Sequence, residues 1–194
     1  RYRTGVISRI VVPDEQGFTE RKPVNLATEN NIGLEFTGAY NFSKKVSFNG
    51  SVNLYRAITE GEFEGQNLDN DVFTMSGRLV LKAELLPKVD FQASFRYRAP
   101  QQNLQGRTKS LYFLDLSAGK DVMAGKGTLV ASVRDVFNSR RRRSIVDTEE
   151  LYSESDFQWR ARQFLLTFSY RINQKKNRGS RGQSSGMGGG GEDF

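Results

Sequence analysis

Residues 89–98, VDFQASFRYR, alternate without a slip: Val89, Phe91, Ala93, Phe95 and Tyr97 against Asp90, Gln92, Ser94, Arg96 and Arg98. Successive side chains of a strand point to opposite sides, so this segment has one apolar face and one charged face. The apolar side must pack on a protein core or on lipid. The charged side must meet bulk water or the wet interior of a barrel.

The pattern recurs along the chain. Between Val24 and Phe42 the apolar set is Ile32, Leu34, Phe36, Tyr40 and Phe42, against Asn25, Glu29, Asn31, Glu35 and Asn41. Next come Val46, Phe48, Val52 and Leu54, opposed by Ser47, Asn49, Ser51 and Asn53. Phe73, Met75, Leu79, Leu81 and Leu85 oppose Thr74, Ser76, Arg78, Lys82 and Glu84. The last such segment sets Phe164, Leu166, Phe168, Tyr170 and Ile172 against Thr167, Ser169 and Arg171. Residues 1–12, 109–121 and 127–137 fit less cleanly, and Leu111 and Phe113 break the alternation. The reading is all-β, with about eight strands and no helix.

The connections narrow the choice. Ser43–Lys45, Leu86–Lys88 and Met123–Lys126 are short turns, whereas 13–23, 64–71, 100–108 and 138–156 are long polar loops. Short and long connections alternate. An antiparallel up-and-down sheet therefore has its tight turns at one end and its long loops at the other, as transmembrane β-barrels do. Val24–Phe42 also exceeds the usual globular strand of about 5–6 residues. A spanning strand needs about 9–11 residues, and a sheet in hydrocarbon must close.

This reading predicts that Leu34, Phe36, Phe91, Phe95, Leu166 and Phe168 face lipid. Glu35, Arg78, Lys82, Arg96 and Arg98 then line the lumen as candidate contacts, the three arginines foremost. The alternative for these cations is pairing with neighbouring Glu and Asp across strands. The loops around Asp69, Gln105 and Arg141 are expected outside the cell, and the turns at Lys44, Pro87 and Gly125 in the periplasm.

Composition is consistent with this picture. A mean hydropathy of -0.59 describes a soluble protein superficially, but barrel strands are apolar on one face only. No run approaches the roughly 18 apolar residues of a membrane helix. The absence of cysteine and histidine removes disulfides, the usual zinc sites and Ser–His triads. No cofactor, metal site or catalytic constellation is expected, and the chain is not read as an enzyme. It begins at Arg1, read as a cut or processed end that says nothing about location.

The net charge of +7 is largely local, in Arg140–Arg143 and in the stretch from Lys175 to Arg181. SRRRRS (139–144) precedes an acidic stretch, Asp147–Asp156, and reads as one of two loop arms of opposite charge. Residues 174–194 form a Gly-, Ser- and Lys/Arg-rich segment that cannot bury a core, so 1–173 is the barrel part and 174–194 a disordered tail. The tail lacks the aromatic interleaving of a nucleic-acid binder. GKDVMAGKGT (119–128) fails the phosphate-loop spacing and reads as a hairpin turn. Asp69 and Asp71 in NLDND lack the rest of a calcium loop.

An ordered series carries a family likeness: NNIGLEF (31–37), SVNLYRAI (51–58), LLPKVDFQASFRYRAPQQNLQGR (85–107), LYFLDLSAGKDVMAGKGTL (111–129), VRDVFNSRR (133–141) and RQFLLTFSYRI (162–172). It resembles the C-terminal strands of outer-membrane β-barrel proteins related to TonB-dependent receptors, common in Bacteroidetes-type bacteria. DVFN (135–138) and the FSYRI strand carry most of the likeness. The family implies a barrel of about 22 strands around an N-terminal plug. It also implies energy coupling through a TonB-type protein and uptake of a ligand this sequence does not specify. The chain would be the last third or so of that barrel, partnered by lipid, the plug and the missing strands. Ligand residues in the family are not fixed motifs, so none is carried over. Two other readings remain: a complete small eight-stranded barrel acting as anchor or adhesin, and a soluble basic β protein binding nucleic acid.

Overall fold

The computed structural model describes residues 2–13, 18–63, 66–67, 69–103, 105–148 and 151–172. The tail at 174–194 lies outside the described residues. In chain order the strands are β1 (Tyr2–Pro13), β2 (Thr19–Asn41), β3 (Val46–Glu60), β4 (Glu62–Phe63), β5 (Gln66–Asn67), β6 (Asn70–Leu86) and β7 (Val89–Arg98). They continue as β8 (Gln101–Asn103), β9 (Gly106–Thr108), β10 (Leu111–Val122), β11 (Gly127–Arg134), β12 (Arg142–Asp147), β13 (Tyr152–Phe157) and β14 (Gln163–Tyr170). One 3-10 turn, Met123–Gly125, is the sole helical element among the described residues.

Eight strands form one sheet in the order β1-β2-β3-β6-β7-β10-β11-β14, and every pairing is antiparallel. It is an up-and-down wall, open at β1 and β14. Its register keeps the two faces chemically separate. Tyr40, Phe48, Leu81, Ala93, Leu116, Val133 and Phe164 form one row across β2, β3, β6, β7, β10, β11 and β14. The adjoining row on the other face is Asn41, Ser47, Lys82, Gln92, Ser117, Ser132 and Leu165.

Burial is distributed opposite to a water-soluble sheet. On the apolar face Leu34 is 65% exposed, Phe73 69%, Phe164 75% and Leu166 73%. Buried hydrophobics among the described residues are Ile10, Val80, Ala83, Phe113 and Ile145. Val80 and Phe113 project from the polar face, as does buried Thr74. Ala83, opposite Val46 and Phe91, is buried on the apolar face, so the few buried side chains of the wall are divided between its two sides.

The short connections fall where the alternation stops: residues 42–45, Pro87–Lys88 and the turn at Met123–Gly125. Phosphate-loop-like GKDVMAGKGT is a hairpin, as its spacing implies, with Met123, Ala124 and Gly125 all at positive φ. The long connections correct the sequence reading. They are not polar coil. β8, β9, β12 and β13 build a second sheet in the order β13-β12-β9-β8, and β4 pairs with β5. The loop expected at 13–23 is shorter, because β1 runs to Pro13 and β2 starts at Thr19. Pro23 sits within that ladder opposite Arg9. It is tolerated because β3 joins β2 only from Thr28 onward, leaving Pro23 a free side that needs no N–H.

The two sheets are tied together. The carboxamide of Gln105, between β8 and β9, donates to the Val11 carbonyl at 2.8 Å and accepts its N–H at 2.6 Å. It thus occupies a stretch of the β1 edge as a neighbouring strand would. The Gln105 carbonyl accepts the Asp147 N–H at 2.8 Å. Ile10, only 2% exposed, lies beside this clasp in sequence.

Close approach fixes one glycine of the wall. A Cβ on Gly33 would lie 2.4 Å from the Tyr55 Cβ and 2.4 Å from the Leu54 carbonyl oxygen, while one on Gly38 would meet nothing within 4 Å. Gly33→Ala is therefore expected to destabilise the wall by about 1–3 kcal/mol, as overpacking does. Gly38→Ala should be neutral or slightly stabilising, since it only removes glycine's backbone freedom. Urea unfolding from lipid vesicles compares the two, and equal effects would contradict the packing at Gly33.

Candidate functional site

The register sorts the sequence-derived candidates onto two faces. Leu34, Phe36, Phe91, Phe95, Leu166 and Phe168 share the apolar face; Phe91, Ala118, Ala131 and Leu166, for example, form one row. Glu35, Arg78, Lys82, Arg96 and Arg98 share the polar face. Arg78 and Arg96 come together as direct register partners, and Arg98 lies opposite Ser76. Lys82 sits nearer the short-turn end, opposite Gln92. Glu35 shares a row with Asn53, Ser76 and Arg98, but three strand spacings separate it from Arg98, about 14 Å at ~4.8 Å each. It forms no ion pair with the arginines among the described residues. Among the described residues Arg78, Arg96 and Arg98 form no ion pair.

The sequence reading missed the residues that complete this cluster. Phe113, which breaks the alternation, faces the arginine side of β10 directly opposite Arg96 and is 6% exposed. The Arg96 guanidinium lies 5.8 Å from the ring centre, and that of Arg140 lies 4.8 Å from it. An aromatic face attracts such cations, and both guanidiniums share this ring.

The turn after β11 delivers Arg140. Asp135, 3% exposed and at φ 53°, accepts the Ser139 N–H through Oδ1 and the Arg140 N–H through Oδ2, each at 2.9 Å. Its own N–H donates to Asp115 Oδ1 at 2.8 Å, and the Val136 N–H to the Leu114 carbonyl at 2.8 Å. Asn138, also left-handed at φ 55°, accepts from Gln158 Nε2 at 2.9 Å and from the Arg162 N–H at 3.0 Å. DVFN is thus a capped turn: Asp135 binds its start to β10, and Asn138 binds its end to the segment leading into β14. Asp and Asn are suited to left-handed backbone and to capping local amides.

At the loop end, a polar cleft of about 710 Å³ lies between β6 and the second sheet, lined by Asp71, Phe73, Gln101, Arg107, Ile145 and Asp147. Asp71 is occupied by Arg56, whose Nε donates to it at 2.7 Å. Asp69 accepts the Gly61 N–H at 3.1 Å, so the two carboxylates of NLDND serve the loop. The basic and acidic arms pair as their charges imply: β12 with β13, Lys109 with Glu154 at 2.6 Å, and Arg141 with Asp156 at 3.8 Å. The hydrogen bond from Lys109, then its charge, holds the Glu154 carboxyl below its usual range. The contribution of that pair is present above the ordinary glutamate value and lost as pH falls through the lowered one.

An open antiparallel meander with one bare aromatic face, one charged face and all its elaborated loops at one end defines a wall of a membrane β-barrel. The chain belongs to the outer membrane protein beta-barrel family, whose sequence profile matches residues 1–170. It is a protein of the outer membrane. Searches of curated proteins and of solved structures returned no match.

Loss of the Asn138 carboxamide should loosen the turn. Asn138→Ala is expected to destabilise by about 1–3 kcal/mol, through the lost hydrogen bonds and the strained φ. Asn138→Gly removes the bonds but relieves the strain, and should lie between alanine and wild type. Alanine and glycine variants of equal stability would show that backbone strain contributes nothing there.

Proposed function

We propose that this chain is the C-terminal part of the barrel wall of a TonB-dependent receptor-type transporter, with its apolar face in lipid and its polar face lining the lumen. The observation that carries the lipid assignment is the unbroken apolar row from Tyr40 to Phe164, in which Tyr40, Leu81 and Phe164 are exposed. Contiguous apolar surface on that scale is foreign to soluble monomers. The receptor assignment is supported by the family and by the open sheet. β14 and β1 each have one neighbour, and Asn31–Asn41 of β2 pairs with β3 alone among the described residues. Open edges do not persist in hydrocarbon, so further strands would complete the wall. A closed eight-strand barrel would need β14 to meet β1.

On this reading the wall contributes surface rather than chemistry. Transport would need an element that blocks the lumen and moves when pulled from the periplasm, and cargo would meet the polar face and the loops. We assign no catalytic step to the chain. Uptake measured for the full-length gene, with and without the cell's energy-coupling protein, tests the receptor role. Uptake indifferent to energy coupling would overturn it.

Two measurements check the placement. Phe95→Arg puts a cation on the face assigned to lipid and should cost about 2–4 kcal/mol in folding titrations into vesicles; Gln92→Arg, on the lumen side, should cost far less. Equal costs would reject the assignment of faces. Orientation is read separately with single cysteines, for which the chain offers no background. An impermeant thiol reagent on intact cells should label position 141 and spare position 44, and the reverse pattern would invert the topology.

A further inference from the structure

Three of the guanidinium groups on the polar face, those of Arg78, Arg96 and Arg140, gather without a carboxylate in ion-pair contact among the described residues. Arg78 and Arg96 stand directly opposite each other, an arrangement of like charges that strand pairs disfavour. Arg96 and Arg140 share the ring of Phe113 at 5.8 and 4.8 Å. Arg78 and Arg140 are near enough to repel Arg96, and Asp115 near enough to attract it. Asp115, however, is already engaged by the Asp135 N–H, and Asp135 by two amides of its own turn. Arg78, Arg96 and Arg140 make no ion pair or side-chain hydrogen bond among the described residues. Several features hold this repulsion in place: the β6–β7 register, the buried ring, and a turn whose carboxylate fixes the Arg140 backbone.

We propose that Arg78, Arg96 and Arg140 form a binding site for an oxyanion, the phosphate or carboxylate group of a small solute entering from the loop end. The inference rests on the reading of the polar face as lumen, and it adds the chemistry of what that lumen receives. Guanidinium forks match the paired oxygens of phosphate and carboxylate, which a lysine ammonium does not. Seating two of the three on one ring fixes their positions before an anion arrives, which lowers the ordering cost of binding. Position favours a solute. Arg140 belongs to a turn at the loop end, so the cluster stands toward the mouth, where gathered positive charge attracts oppositely charged solutes.

The test uses the full-length protein in detergent, titrated calorimetrically with inorganic phosphate and, in a second arm, with acetate. Ionic strength is held constant with chloride. Saturable binding is expected in at least one arm, and the tighter arm identifies the group. Arg96→Gln and Arg78→Gln should each weaken it by about tenfold or more, the scale of one charged hydrogen bond. Arg96→Lys should fall between wild type and glutamine. Asp115→Asn keeps an acceptor for the Asp135 N–H while removing a negative charge, and should tighten binding. Heat-modifiable gel mobility verifies that each variant is folded; if Arg96→Gln is not, Arg78→Gln, which does not contact the Phe113 ring, decides. Absence of saturable binding in both arms overturns the site, as does binding that folded arginine variants leave unchanged. The readout involves no transport, so a protein that binds through these arginines yet takes up nothing keeps the site and refutes the transporter reading.

Discussion

A sheet in hydrocarbon has no water to satisfy its peptide groups, so each strand depends on the ladder to its neighbour. Everything else in this wall follows from that ladder. It fixes which residue stands opposite which, and in a strand a shift of one residue exchanges the two faces. From β2 to β14 the register keeps Tyr40, Phe48, Leu81, Ala93, Leu116, Val133 and Phe164 in one row. The one irregularity, between Glu84 and Leu86, falls beside the short turn at Pro87, after the rows have been laid down. Gly33 belongs to the same logic: β2 and β3 approach so closely at Tyr55 that a Cβ there would have to push the ladder aside.

Faces of opposite chemistry give this protein an inverted economy of burial. Fully burying a phenylalanine is worth about 1.5–3 kcal/mol relative to leaving it in water. Phe73, Phe164 and Phe168 remain 69%, 75% and 55% exposed, so in water the wall would forgo that stabilisation many times over. On the proposed placement of this face in lipid, the penalty would vanish without a protein core. Buried side chains collect instead where the chain folds over its own polar side, as at Phe113 beneath Arg96 and Arg140, or within the elaborated loops, as at Ile145. On the wall's apolar face these large aromatic side chains stay exposed while the small Ala83 is buried.

The wall was legible in the sequence because strand alternation needs no tertiary information. Leu34 and Phe36, Phe91 and Phe95, Leu166 and Phe168 sort onto one face by parity alone. The loops were not legible, because their strands are short: β8 and β9 have three residues each, and no alternation can be read in three. Their order comes from partners distant in sequence, such as Gln105 on Val11, 94 residues away. Arg78 and Arg96 could be placed on one face, but their direct opposition is a matter of register. Phe113 was visible only as a fault in the pattern. A bulky apolar residue on a polar face is itself a signal, since it needs something to cover it, and here the covering groups are cations.

The DVFN turn joins these two levels. Its sequence is one of the stretches that carry the family likeness, yet its two polar side chains, Asp135 and Asn138, hold the protein's own chain, while Phe137 is 52% exposed. Asp135 uses its carboxylate on Ser139 and Arg140 amides, and Asn138 uses its carbonyl on Gln158 and Arg162. Among the described residues Asp135 makes no ion pair with a guanidinium. The same turn holds the Arg140 backbone, and the Arg140 guanidinium lies over Phe113 with no ion pair among the described residues. A turn designed for stability alone could have ended in a neutral residue, or turned Asp135 toward the arginines and neutralised them. That it does neither concentrates positive charge on the polar face near the loop end. A local capping motif thus determines which charge an arriving solute would meet.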